Sequence, residues 1–150
     1  MSVGTTATTT GPASAATPPS ASPPSASQPS LVRGPVPRVL ADCVSAPPHR
    51  LSVRPASIAL ACADNGWGVE SVTWTGWMAS AAMGQGTFWE KLCQPNCASG
   101  KIGTYPVLVT LSVVKTSSQG PWFSRLTVTW RATQPPNPTP DSFPLMPPQY

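Results

Sequence analysis

The sequence predicts an all-β fold, an antiparallel β-sandwich stapled by disulfides, and three observations predict it. Apolar residues in the middle of the chain recur with period two rather than 3.6. Turn residues punctuate the same region at roughly ten-residue spacing. Four cysteines, Cys43, Cys62, Cys93 and Cys97, all fall inside it, between two proline-rich tracts.

Residues 1–37 are Ala, Ser, Thr, Pro and Gly almost throughout, with Pro18-Pro19 and Pro23-Pro24 and no aromatic residue. Such a stretch buries too little apolar surface to offset the entropy of ordering it, so a disordered or polyproline-like stalk is expected. The foldable part is 38–133. Its first strand carries Val39, Ala41 and Cys43 on one parity, and its second carries Ile58, Leu60 and Cys62. Asp64-Asn65-Gly66 is turn chemistry, because Asn and Gly tolerate positive φ. A third strand spans 69–78, with Val72, Trp74 and Met78 on one parity and Thr73, Thr75 and Trp77 on the other unless Gly76 bulges it.

The segment 79–83 is too short for more than one helical turn. Gly84-Gln85-Gly86 is expected as another turn before a fourth strand over 87–92. Val107, Val109, Leu111 and Val113 share a face in 106–114; Trp122, Leu126, Val128 and Trp130 alternate with Arg125, Thr127, Thr129 and Arg131 in 122–131. A polar loop over 115–121 closes the hairpin between them. Residues 134–150, with Gln134-Pro135-Pro136-Asn137-Pro138 and Pro147-Pro148, read as a proline-rich extended tail. Together these elements predict about six or seven strands, Ig-like in general architecture.

Four cysteines permit three pairings, and spacing alone does not select one. Shared apolar parity favours Cys43 with Cys62; Cys93-Gln94-Pro95-Asn96-Cys97 brackets a turn-forming Pro-Asn and favours a local pair. In the chain-entropy picture these closures stabilise by about 3 and about 2 kcal/mol. A four-thiolate zinc site needs two closely spaced cysteine knuckles, and only one such spacing exists. A redox pair of the usual C-x-x-C spacing is absent. No metal and no cofactor is expected.

The net charge of +4 is a small excess on a chain with 9% charged residues. Its Lys and Arg residues are scattered rather than clustered, which argues against a nucleic-acid partner. No run of about 18 apolar residues marks a membrane span. The N-terminus lacks the charged and apolar regions of a secretory signal. The expectation is nonetheless a secreted or cell-envelope protein, its export signal removed or its start site assigned too far downstream.

Candidate chemistry is sparse. His49, the single histidine, sits in Ala46-Pro47-Pro48-His49-Arg50, a loop signature with no nucleophile elbow elsewhere. Among five carboxylates, Glu70 and Glu90 are the candidate pair to flank a glycosidic bond, near Trp67, Trp74, Trp77 and Trp89. Asp64-Asn65-Gly66 supplies too few oxygens for calcium. Six tryptophans exceed what a domain of this size easily hides. Trp67, in a turn, and Trp77, on the polar parity, are the candidate binding residues, an exposed platform for a sugar or a protein.

Ala61-Cys62-Ala63-Asp64-Asn65-Gly66, Trp74-Thr75-Gly76-Trp77, Gly86-Thr87, the run from Cys93 through Cys97-Ala98 to Gly100-Lys101, and Tyr105-Pro106-Val107 together resemble a group of small, uncharacterised exported or envelope proteins of actinobacteria, mycobacteria and streptomycetes among them. The resemblance covers 38–132. It implies export and oxidised cysteines, and it transfers no functional residue because the group carries no established activity. The expected function is a non-enzymatic binding or structural module whose partner is an envelope polysaccharide or another exported protein. The alternatives are a small secreted hydrolase using Glu70 and Glu90, and a protein inhibitor presenting the Cys93–Cys97 loop.

Overall fold

A computed structural model describes residues 1–16, 34–136 and 139–148. Two units divide the chain, Met1–Leu31 and Val32–Tyr150. Residues 1–16 of the first are exposed and carry no regular secondary structure; Pro18-Pro19 and Pro23-Pro24 of the expected stalk lie outside the described residues. The second unit holds β1 (Val39–Leu40), β2 (Leu51–Ser52), β3 (Ile58–Ala59), β4 (Trp67–Trp77), β5 (Ala82–Lys91), β6 (Ile102–Ser117), β7 (Gly120–Trp130) and β8 (Ser142–Pro144).

The fold is all-β and antiparallel, as period-two patterning requires. Strands β3 to β8 form one six-stranded sheet in sequence order, and β1 pairs with β2 as a separate ribbon. The segment beside β1 connects distant parts of the sheet: the Arg38 amide donates to Pro121 O (3.1 Å), the Phe123 amide donates to Arg38 O (2.8 Å), and the Ala59 amide donates to Ala41 O (2.9 Å). Chain 38–41 thus lies against both β7 and β3, and the sheet is a curled meander. Its concave side holds the core, built around Val39, Ile58, Val69, Phe88, Val107, Val109, Leu111, Phe123 and Leu126. The facing pairs Val109–Val128 and Leu111–Leu126 show why the alternation of β6 and β7 was readable: directly opposed residues share a face.

Where patterning and structure differ, irregular pairing is the cause. The β4–β5 register shifts between Glu70 and Thr73 and again between Trp74 and Gly76, with Ser71 at φ 52°. These bulges restore Val72, Trp74 and Trp77 to the core side, so Trp77 leaves the polar parity. Gly84-Gln85-Gly86, expected as a turn, runs inside β5, where Gly84 opposes Trp74 and Val109. The expected polar loop 115–121 shrinks to Ser118 and Gln119, since Ser117 pairs with Gly120, which takes φ 102°. Val113, expected in the core, has φ 56° and is exposed because the ladder skips it; its carbonyl instead accepts from Ser124 Oγ (2.8 Å).

The C-terminal segment also differs. Residues 134–150, read as an extended tail, supply β8, which pairs with β7 through Leu126–Phe143. Phe143 and Leu145 enter the core. Proline interrupts ladders, but the three residues of β8 form an edge, where a missing amide is tolerated.

Disulfides pair Cys43 with Cys62 and Cys93 with Cys97, at Cα separations of 5.1 and 3.9 Å. The first ties the chain leaving β1 to the chain leaving β3; the second closes a loop between β5 and β6. No cysteine is left free for metal binding or nucleophilic chemistry. Among the described residues, no helix is long and apolar enough to cross a membrane.

Candidate binding site

The β4–β5 pair sorts its side chains onto two faces, and that sorting decides what each can do. Val69 opposes Phe88 and Trp67 opposes Glu90, so these four point to the core side. Gly68 opposes Trp89 and Glu70 opposes Thr87, so these four point the other way. Glu70 and Glu90 therefore lie on opposite faces of one hairpin. Two carboxylates so placed do not flank a common bond, as acid–base cleavage of a glycoside requires.

On the outer face the Trp89 indole lies over Gly68. A Cβ at that position would stand 3.0 Å from both the Nε1 and the Cζ2 of Trp89, and 2.8 Å from the Ile58 carbonyl oxygen. Glycine is required there by close approach: any side chain would displace the ring or spread β3 from β4. Trp89 is also the one tryptophan outside the core cluster, since Trp122 is buried and Trp67, Trp74, Trp77 and Trp130 pack against it. Its half-buried ring lines an open groove of about 480 Å³ together with Glu70, Asp42, Asn65, Ser45 and Ser57.

The polar groups of this groove are held by turns. Asp42 Oδ1 accepts from the Val44 amide (2.9 Å) and the Ser45 amide (3.0 Å), and Ser45 Oγ donates to Oδ2. The Ser45 hydroxyl first, then the two amides, hold the Asp42 carboxyl below the usual carboxylate range. Asn65 takes the left-handed φ of 47° expected of the Asp64-Asn65-Gly66 turn, and Asp64 Oδ1 accepts from the Gly66 amide (3.0 Å). Glu70 stands exposed on the strand itself.

On the inner face Glu90 is buried, at 6% exposure. Tyr105 Oη donates to its Oε1 and Thr139 Oγ1 to its Oε2, both at 3.4 Å. Gly103, which opposes Glu90 on β6, leaves the space the phenol occupies: a Cβ there would stand 2.7 Å from Tyr105 Oη. Burial first, then the charge of Glu90 and its hydrogen bond, push the Tyr105 phenol above its ordinary 10.0.

The two tryptophans expected to form a platform are not brought together. Trp67 and Trp77 begin and end β4, about 33 Å apart along a strand of this length. Trp67 packs edge-on against Phe143 with centroids 5.7 Å apart. Trp77 packs edge-on against Trp74 (4.8 Å) and Phe123 (5.6 Å), and its Nε1 donates to Pro37 O (2.8 Å). His49 lies in the loop before β2 and its carbonyl accepts from Gln119 Nε2 (3.1 Å) at the β6–β7 tip. In the Cys93–Cys97 loop, Asn96 Oδ1 accepts from the amides of Ala98 and Ser99, and the loop is exposed.

Parity alone marks Trp89 in the sequence: in 87–91 Phe88 and Glu90 alternate with Thr87, Trp89 and Lys91, and the bulky aromatic stands in the polar set. Thr139 carries no comparable signal, because it comes from beyond the expected end of the domain. Compared with known protein families, with curated proteins and with solved structures, the chain matches none.

Proposed function

We propose that the domain is a non-enzymatic binding module of an exported protein, and that it holds an envelope polysaccharide on the outer face of the β4–β5 hairpin. The observation that carries this is Trp89, whose indole lies against Gly68 outside the core, in a groove bordered by Glu70, Asp42 and Asn65. A pyranose ring has an apolar C–H face and a rim of hydroxyls. An indole face surrounded by carboxylates, an amide and serine hydroxyls is its complement. Two disulfides are compatible with an oxidising compartment, which fits export and the actinobacterial group the sequence resembles. The two halves of the curled sheet serve as the layers of a sandwich, Ig-like in general architecture, that holds the groove rigid.

The site is moved from Trp67 and Trp77, which support the core, to Trp89. Retention of the purified protein on insoluble cell-wall polysaccharide tests it. Trp89→Ala should lower retention by about tenfold or more, the worth of one well-placed aromatic contact, while the protein stays folded with only a small loss of stability. Full retention by a folded Trp89→Ala protein refutes the assignment.

A further inference from the structure

The inner face at the same end of the hairpin carries a second feature, independent of the groove. A cleft of about 320 Å³ opens between the start of β4, the end of β5, the Cys93–Cys97 disulfide and Thr139. Trp67 and Glu90 line it. They are directly opposed, and since the Lys91 amide donates to Gly66 O (2.8 Å), theirs is the close, non-hydrogen-bonded kind of pair. A carboxylate so deeply buried is costly unless a cation compensates it. Among the described residues no cation pairs with Glu90: its contacts are the hydroxyls of Tyr105 and Thr139. Lys91 borders the cleft, but it is the next residue along the strand and its Nζ is committed to Asp64 O (3.2 Å).

We infer that this cleft binds a primary alkylammonium group, its charge on Glu90 and its alkyl stem against the Trp67 indole. Glu90 lines the cleft, and its carboxylate keeps lone pairs beyond those that accept from Tyr105 and Thr139. An ammonium brings it three N–H donors and the compensating charge on one centre. The indole beside it contributes a cation–π attraction, strengthened by partial burial. The volume lies at the small end of ligand sites and suits a short alkyl chain rather than a sugar. The same headgroup comes from a lysine side chain of a partner protein or from a free amine, and the two are separated by the probes below.

The test follows the Trp67 indole N–H resonance of the full chain during titration with n-butylammonium, Nα-acetyl-lysine amide and n-butanol. Both amines should shift it saturably, and the uncharged alcohol should bind at least about tenfold more weakly, the loss expected when a buried charge goes unpaired. Glu90→Gln, which keeps the shape and the two hydroxyl contacts, should lose amine affinity by a similar factor. Tighter binding of the lysine amide assigns the site to a protein partner; tighter binding of n-butylammonium assigns it to a free amine. Equal binding of the alcohol, no shift with either amine, or undiminished affinity in Glu90→Gln overturns the inference. The probe comparison is made on the native protein, so it holds even if the variant misfolds.

Discussion

The two faces of the β4–β5 hairpin carry the same pair of residue types with opposite consequences. On the outer face Trp89 and Glu70 are diagonal neighbours, half-buried and exposed. On the inner face Trp67 and Glu90 are direct neighbours, and the carboxylate is buried against Tyr105 and Thr139. In water a glutamate is a hydrogen-bonding rim that needs no counterion. Removed from water it becomes a charge that requires compensation. Composition is matched, so solvent access alone separates a surface suited to neutral, hydroxyl-rich ligands from a cleft suited to a cation.

The sharpest way to break that comparison is to remove what keeps the inner face dry. Phe88 is fully buried opposite Val69, stacked on Phe143 and edge-on to Trp130. Phe88→Ala should cost about 3–5 kcal/mol in urea unfolding. A loss below about 1 kcal/mol would mean that the inner face is not the core. Gly68→Ala acts where the two faces meet. Its Cβ would press on the Ile58 carbonyl and on Trp89, and about 1–3 kcal/mol of stability should be lost, as overpacking costs. Trp89 fluorescence should shift to the red as the ring lifts away, and retention on polysaccharide should fall with it. An unchanged spectrum would show that the glycine does not seat the indole.

A smaller effect concerns Tyr105 and is specific to the inner face. Its phenol is raised above 10.0, so between pH 10 and the raised value the folded chain holds a proton that the unfolded chain has released. The resulting stability is intact below pH 10 and is lost as the pH rises through the folded value. Tyr105→Phe should therefore flatten the decline of stability above pH 10, measured by urea midpoints across the range. The smallest effect belongs to the outer face: Trp89→Ala, decisive for binding, should change stability by only about 0.5–1 kcal/mol, because the ring contributes little to the core.

Legibility in the sequence followed the regularity of the ladder. In β6 and β7 the pairing is continuous from Val107–Trp130 to Ser112–Arg125, and every core residue there falls on the parity that its spacing marks. In β4 two register shifts intervene, and parity counted straight through them sends Trp77 to the wrong face. Gly76 hinted at a bulge, but whether a glycine bulges depends on the strand opposite. Gly84 and Gly86 looked like turn residues in isolation; in the sheet they face Trp74 and Glu70–Val72 on the neighbouring strand, where a side chain would collide. The docking of the C-terminal segment is not legible locally because its prolines dominate the signal, whereas Phe143 finds its place only in a core assembled by distant strands.

By itself the sequence determined the strand chemistry, the all-β class, the proline-rich surroundings and the pairs of cysteines whose parity and spacing suit them to each other. All are local properties, set by side-chain alternation and turn preferences over a few residues. Only the tertiary structure decided which tryptophan is left outside the core, which glutamate is buried, and that residues beyond 133 complete the sheet. These depend on register shifts and on contacts between segments far apart in the chain. A one-residue bulge moves every following side chain to the other face, so their outcome is written in no single segment.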